Sequence, residues 1–327
     1  MKVAILYNDV SSTSSADDLD VLAQVNYVAD TLKNLRHEPV AVPVTLNLSQ
    51  VVDSLRKLQP GLVFNLVESI AGSEKFLHFV PALLDYLKIP YSGNSTHALY
   101  LTTNKIFTKQ KLQSAKLPTP PWQTLNEVIV NGISFQPPYI IKPVSDDASV
   151  GISSDSVIFS ADNLVEILEQ NSARYGECFA EAYIAGREFN LSLLANASQP
   201  EVLPPAEIRF INFPADRPQI VDYKAKWEEE SFEYRNTVRS FDFDHADKPL
   251  LAKLSAIAFR CWEVFGLRGY ARVDFRVDKQ NNIWILEINA NPCISPDSGF
   301  VAAAQKAGIE FEQVVARIIR DANQKTG

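Results

Sequence analysis

Two neighbouring segments late in the chain carry more polar chemistry than buried strands need. Across 269–278, period-two alternation puts Arg272, Asp274, Arg276 and Asp278 on one face and Ala271, Val273, Phe275 and Val277 on the other. The following run, Ile283-Trp-Ile-Leu-Glu-Ile-Asn-Ala290, is apolar except for Glu287 and Asn289, which share a face. The connection Asp278-Lys-Gln-Asn-Asn282 is rich in turn residues, so the two segments read as a hairpin. Pairing them brings Asp274, Glu287 and Asn289 to one side. Two carboxylates about 4 Å apart repel by roughly 4 kcal/mol at an effective dielectric near 20, so something positive must sit between them. Hard oxygen donors in this number suit Mg2+, which takes a few carboxylates and completes its shell with waters and nucleotide phosphates. Neutralisation of both acids by Arg272, in a structural salt-bridge cluster, is the other solution. Asn289 favours the metal, because a neutral carbonyl oxygen adds a ligand without adding repulsion.

Lys142 is a second anomaly. It ends the apolar run Tyr139-Ile-Ile141 and precedes Pro143, where a strand core should be apolar. Lysine is almost never fully buried unless paired. A phosphate and Glu181, within Phe179-Ala-Glu-Ala-Tyr183, are both suitable partners, and a surface lysine with a buried stem is the plain alternative. The polar loop Ser145-Asp-Asp-Ala-Ser-Val-Gly151 that follows could cover a nucleotide.

Positioning these groups falls to three lobes. In the first ninety or so residues, apolar runs at 3–7, 40–44 and 62–67 alternate with helical periods at 19–35, 51–58 and 76–87. Such alternation implies a parallel sheet covered by helices, with ligands at the carboxyl ends of its strands, here the loops 8–20 and 68–75. The first strand is followed by no G-x-G-x-x-G, which speaks against a dinucleotide site. Helical signals run on to Leu112, and Leu117-Pro-Thr-Pro-Pro-Trp122 marks a boundary. Strands follow at 139–144, 179–184 and 189–194, with a helix at 161–170. The last third holds a helix at 250–265, the hairpin at 269–277 and 283–288, and a helical tail. The expected class is α/β, with α+β character in the latter two lobes. The expected domains are 1–95 (an α/β substrate domain), 96–190 (central) and 191–327 (carrying the metal and catalytic residues).

Composition narrows the function further. At 327 residues and 46% hydrophobic, the chain can bury real cores, and 21% charged residues exclude a disordered class. Three cysteines make no disulfide framework and point to a reducing compartment, while four scattered histidines offer no zinc spacing. A net charge of −8 argues against a nucleic-acid surface, since phosphate-backbone binding rests on Lys and Arg. The stretch Tyr223-Lys-Ala-Lys-Trp227 is followed at once by three glutamates and reads as solvated surface. The opening apolar run is too short for a signal peptide, and no stretch approaches the roughly 18 apolar residues of a membrane span. A soluble, cytoplasmic protein without a nucleic-acid or membrane partner is expected.

Taken in order, these segments resemble the ATP-grasp ligases, most closely the D-alanine–D-alanine ligases. The carriers are Pro90-Tyr-Ser-Gly93 with Asn104-Lys105, Ile141-Lys-Pro143 with Ser149-Val-Gly151, and Glu181 with Gly186-Arg-Glu-Phe189. They continue through Ala225-Lys-Trp227, Ala271-Arg-Val-Asp274 and Leu286-Glu-Ile-Asn-Ala-Asn-Pro292 to Ser298. The resemblance implies an ATP-grasp fold behind a Rossmann-like parallel-sheet domain. By it Lys105, Lys142 and Lys226 reach the ATP phosphates, with Ser149 in the covering loop. Glu181, Tyr183, Ile184 and Glu188 hold adenine and ribose. Asp274, Glu287 and Asn289 carry two Mg2+, with Mn2+ as a substitute. Arg272 grips the acceptor's carboxylate and stabilises the tetrahedral intermediate, and Ser298 assists, which makes Arg272, Ser298 and Lys226 the catalytic set. The implied reaction joins a carboxylate to an amine through an acyl phosphate, with positioning and charge stabilisation supplying the catalysis. Small amino-acid or peptide substrates and, by analogy, a homodimer go with it.

Departures from the family pattern cluster on the amino-acid side. Its Glu, Ser and Tyr triad meets Ala148 at the serine and Trp227 at the tyrosine, and the glutamate falls near Asp17 or Asp18. The His-Gly of the third-strand loop gives way to Phe64-Asn-Leu-Val67, the Gly-Glu-Asp-Gly run to Gly72-Ser-Glu-Lys75, and an oxyanion-facing glycine to Cys293. Substrates that need not be D-alanine follow as an expectation. A kinase of the same fold, stopping after phosphoryl transfer, and a nucleotide-binding protein that has lost catalysis are the alternatives. Retention of Arg272 and of all three metal positions speaks against the second.

Overall fold

Three sheets arise in the order that the apolar patterning predicts. The structure, a computed structural model, describes residues 1–10, 16–145 and 151–324, and for 16–18 the backbone only. The first sheet has strand order β2-β1-β3, with β1 (Lys2–Asn8) parallel to both β2 (Glu38–Val44) and β3 (Leu62–Asn65). Successive residues of β1 feed two cores. Val3 and Ile5 face the helix Ala16–Asn34, and Ala4 and Leu6 face the helices Leu48–Leu58 and Phe79–Leu87. Burial on both faces is why the strand reads as a continuous apolar run. Pro39 and Pro43 are tolerated in β2 because it is an edge strand.

The second sheet is antiparallel, ordered β4-β7-β5-β6 from β4 (Trp122–Thr124), β5 (Tyr139–Pro143), β6 (Val157–Ile158) and β7 (Cys178–Ala182). The third is also antiparallel. It is built from β8 (Gly186–Leu194), β9 (Glu201–Val202), β10 (Ala206–Phe210), β11 (Thr237–Ser240), β12 (Tyr270–Asp278) and β13 (Ile283–Asn289), in the order β11-β10-β8-β12-β13 with β9 against β8. Its apolar face, including Phe189, Leu191, Val273 and Phe275, packs on Leu254, Ala258 and Cys261 of the helix Lys248–Phe265. The polar face is thereby left to a cavity.

Boundaries differ from the sequence reading where local polar chemistry intervenes. The third strand stops at Asn65 instead of running to 67, because the Asn65 side chain accepts from Val67 N at 3.3 Å and turns the backbone. The helical stretch through Leu112 is two helices, Thr96–Thr103 and Lys105–Ser114, broken at Asn104, whose side chain caps the second by accepting from Phe107 N at 3.0 Å. That cap sets Lys105 at the start of a helix. The helical tail, Gly299–Lys306 and Phe311–Gln324, packs into the core of the first sheet, with the rings of Tyr27 and Phe311 stacked 3.9 Å apart. Chain ends of opposite lobes therefore share one core.

Candidate active site

A cavity of about 910 Å³ opens between the second and third sheets and the loops of the first. The hairpin of β12 and β13 forms its floor. Asp274 stands directly opposite Glu287 and Arg272 opposite Asn289, and a register shift after Asp274 makes Phe275 pair with Ile285. This bulge is what keeps Glu287 and Asn289 on the face of Asp274. Asp274 is fixed from two sides. Arg272 donates from Nε to Oδ1 and from Nη2 to Oδ2, each at 2.8 Å, and Asn190 Nδ2 donates to Oδ1 at 2.8 Å. Burial raises the Asp274 pKa; the Arg272 charge opposes the rise and Glu287 adds to it. Glu287 moves the other way. Loss of hydration would raise its pKa, but the charges of Lys105, Lys226, Arg272 and Lys142 together hold it low. Its carboxylate is the focus of four cations brought from four elements.

The opposite wall belongs to β5 and β7. Lys142 is buried and its Nζ lies 2.6 Å from Glu181 Oε1. Lys109, fully buried on the helix Lys105–Ser114, pairs with the other oxygen of Glu181 and donates to Thr119 Oγ1 at 2.9 Å. Thr119 in turn donates to the Ile285 carbonyl at 3.1 Å, joining this wall to the floor. Burial alone would raise the Glu181 pKa, but the two ammonium groups hold it below the usual value. Burial pushes Lys109 down to about 8, against the pull of Glu181. Sequence reasoning missed Lys109, although it sits four residues after Lys105 and shares a buried helix face with Ile106 and Leu112.

Further along the cavity, the Tyr183 hydroxyl donates to the Gln219 carbonyl at 3.3 Å and accepts from Gln219 N at 3.1 Å. Glu188 accepts from Arg276 Nη2 at 2.6 Å, and Arg276 Nη1 donates to the Gly186 carbonyl at 3.2 Å. Arg276 thus anchors Glu188, a role its place on the polar face of β12 did not reveal. Lys226 and Trp227 ride on the short helix Tyr223–Trp227, capped by Asp222, which accepts from Ala225 N at 2.9 Å. Among the described residues, the buried Trp227 Nε1 has no hydrogen-bond partner. Ser298 caps the helix Gly299–Lys306, accepting from Val301 N at 3.3 Å, which uses an oxygen lone pair and not the hydroxyl proton.

The cavity therefore brings together Lys142, Glu181, Tyr183, Ile184, Glu188 and Lys226 with Arg272, Asp274, Glu287, Asn289 and Ser298. Lys105 stands behind it, with its charge felt at Glu287. Ser149 and Ala148 lie outside the described residues, as do the side chains of Asp17 and Asp18. Acids that do line the cavity are Asp20, from the helix Ala16–Asn34, and Glu68. Cys293 Sγ donates to Asp20 Oδ2 at 3.0 Å, and Gln24 Nε2 donates to Glu68 Oε1 at 2.9 Å. Loss of hydration, then the charges of Glu68 and Asp20, raise the Cys293 thiol well above its ordinary pKa, which keeps it protonated and a poor nucleophile.

Residues 112–320 match the family model described as D-ala D-ala ligase C-terminus. A D-alanine–D-alanine ligase of a Synechococcus species is 31% identical over 253 residues, covering 75% of this chain and 72% of its own. The uncharacterized protein y4sG of Sinorhizobium fredii is 29% identical over 266 residues, covering 81% of this chain and 75% of its own. The crystal structure of D-alanine–D-alanine ligase from Bacillus anthracis complexed with ATP superposes with a TM-score of 0.76 over 100% of this chain and 98% of that one, at 21% identity.

Proposed function

Because the chain belongs to the D-ala D-ala ligase family, we propose that it is an ATP-dependent carboxylate–amine ligase, forming an amide or dipeptide through an acyl phosphate. Its substrates are amino acids or short peptides that need not be D-alanine. The observation that carries the reading is the gathering of Lys142, Lys226 and Arg272 with the facing carboxylates of Asp274 and Glu287 in one cavity. Such an array suits a polyphosphate and its counter-ions.

Lys105, Lys142 and Lys226 then meet the phosphates, and Tyr183, Ile184 and Glu188 line the nucleoside end, with Glu181 fixing Lys142 in place. A substrate carboxylate attacks the γ-phosphorus and releases ADP. The amine nitrogen of the second substrate attacks the resulting acyl carbon and loses a proton, and the tetrahedral adduct expels phosphate. Arg272 faces the charge that develops on that adduct, and Ser298 still has a hydroxyl proton to offer. Two carboxylates and an amide oxygen are a donor set that fits Mg2+, with Asp274, Glu287 and Asn289 as its holders and Mn2+ as a substitute. When bound, Mg2+ supplies charge neutralisation at the phosphate oxygens.

No helix among the described residues is long and apolar enough to cross a membrane, and a cytoplasmic homodimer acting on small molecules completes the proposal. The test is release of ADP and phosphate across D- and L-amino acids and short peptides, with products identified by mass. An amide plus free phosphate is expected. A stable phosphorylated product would instead mark a kinase, and turnover confined to D-alanine would remove the altered-substrate part.

A further inference from the structure

Lys109 pairs with Glu181 but takes no part in the roles assigned above. Glu181 carries one negative charge and meets two ammonium groups, Lys142 at Oε1 and Lys109 at Oε2. The two lysines differ in what they can do next. Lys142 comes from β5, lines the cavity and has a side chain 11% exposed. Lys109 is outside the cavity lining, its side chain is 1% exposed, and Thr119 Oγ1 accepts a further hydrogen bond from it at 2.9 Å. An anion in the cavity can therefore draw Lys142 away, whereas Lys109 stays where the helix Lys105–Ser114 puts it. Two buried ammonium groups on one carboxylate leave one positive charge in excess, and they repel one another. The like charges of Lys142 and Lys105 are both felt at Lys109. That excess is relieved when Lys142 turns to an anion.

Resting on the reading above, in which that anion is a nucleotide phosphate, we infer that Lys109 is a positioning residue: it keeps Glu181 neutralised while Lys142 leaves the carboxylate for the phosphate. With Lys109 gone, Lys142 becomes the counter-ion of Glu181. Its departure then strands a buried carboxylate, which is the costly way to break such a pair. Lys109 thus strengthens the binding of phosphates that it never touches. Adenosine, which has no phosphate to draw Lys142 away, gains nothing from Lys109.

Calorimetry on the full chain gives the Kd of Mg-ATP and of adenosine, and the readout is the ratio of the adenosine Kd to the Mg-ATP Kd. Lys109→Met should lower that ratio about 10- to 100-fold, the scale of one charged hydrogen bond, through the Mg-ATP Kd alone. Adding Glu181→Gln to Lys109→Met frees Lys142 again. The double variant should therefore return the ratio to near its wild-type value, even where both ligands bind more weakly. Lys109→Gln takes the place of Lys109→Met if the latter does not fold, with the same fall expected. An unchanged ratio in the single variant, equal weakening of both ligands, or a ratio that stays low in the double variant overturns the role of Lys109 and leaves the ligase reading intact. A wild type that binds Mg-ATP no more tightly than adenosine overturns the nucleotide reading and this inference with it. Absence of any amide product, with the ratios behaving as expected, overturns the ligase chemistry and upholds the role of Lys109.

Discussion

Arg272 holds Asp274 at two points of 2.8 Å, yet its Nη2 is 4.0 Å from Glu287 Oε1. The guanidinium thus holds Asp274 closely and reaches Glu287 only at the edge of ion-pair distance. Glu287 draws more on Lys105 and Lys226, residues of other elements that the salt-bridge solution did not include, with Arg272 and Lys142 adding to them. The salt bridge exists, and it accounts for the second carboxylate only in part. Asp274→Ala and Glu287→Ala should each weaken Mg-ATP binding about tenfold or more, measured by calorimetry. Unchanged affinity in both variants would leave the cluster a structural one.

Glu181 is the sole carboxylate paired with both Lys109 and Lys142 among the described residues. Removing one member of a buried charge cluster leaves its partners uncompensated, at a cost of about 3–5 kcal/mol. Glu181→Gln is expected to lose that much in urea denaturation. Adding Lys109→Met to it should restore part of the loss, since one buried ammonium then disappears with its partner. Simple additivity of the two substitutions would mean that the residues do not act as a unit.

How much of this was readable follows the range of the interaction. The hairpin carboxylates were legible because period-two alternation and a turn-rich connection are local, and pairing then dictates that Asp274 faces Glu287. The Lys142–Glu181 contact was legible as one of three options, because a lysine inside an apolar run demands a partner. Lys109 was not, since its partner is 72 residues away and its helix has apolar and basic residues mixed on one face. The Cys293–Asp20 contact was also invisible: it depends on how the lobes close on one another, which no periodicity encodes. The packing of the helical tail into the first sheet is of the same kind.

The buried cluster also sets a pH dependence. Glu181 has a folded pKa below its ordinary 4.5, so its contribution to stability is present above that value and is lost as pH falls through the lowered one. Lys109 carries the opposite bookkeeping, with a folded pKa of about 8 against an ordinary 10.5. Between those values the unfolded chain binds more protons than the folded one, so this group makes stability rise with pH. Stability of the wild type minus that of Lys109→Met should therefore climb by up to roughly 3 kcal/mol from pH 8 to pH 10.5, at about 1.4 kcal/mol per pKa unit. Denaturation curves of both proteins at pH 7, 9 and 10 test this, and a flat difference would refute it.

Gly186 couples backbone geometry to the nucleotide end of the cavity. Its φ is +154°, and a Cβ there would lie 2.1 Å from the Val277 carbonyl oxygen, a backbone atom of the paired strand that cannot step aside. Gly186→Ala must therefore open the β8–β12 ladder at this end, at a cost of roughly 2 kcal/mol or more. The consequence extends to function, because the Gly186 carbonyl accepts from Arg276 and Arg276 holds Glu188. Moving the strand moves all three, so the ATP KM should rise while the acceptor KM, set at the far end near Ser298, stays put. Gly176 is the control: its φ is +80°, but a Cβ would meet nothing within 4 Å. Gly176→Ala should pay only the conformational term, about 1 kcal/mol, and leave the ATP KM unchanged. A matching rise in ATP KM in both variants would show that general destabilisation, and not the Gly186–Arg276–Glu188 chain, governs nucleotide binding.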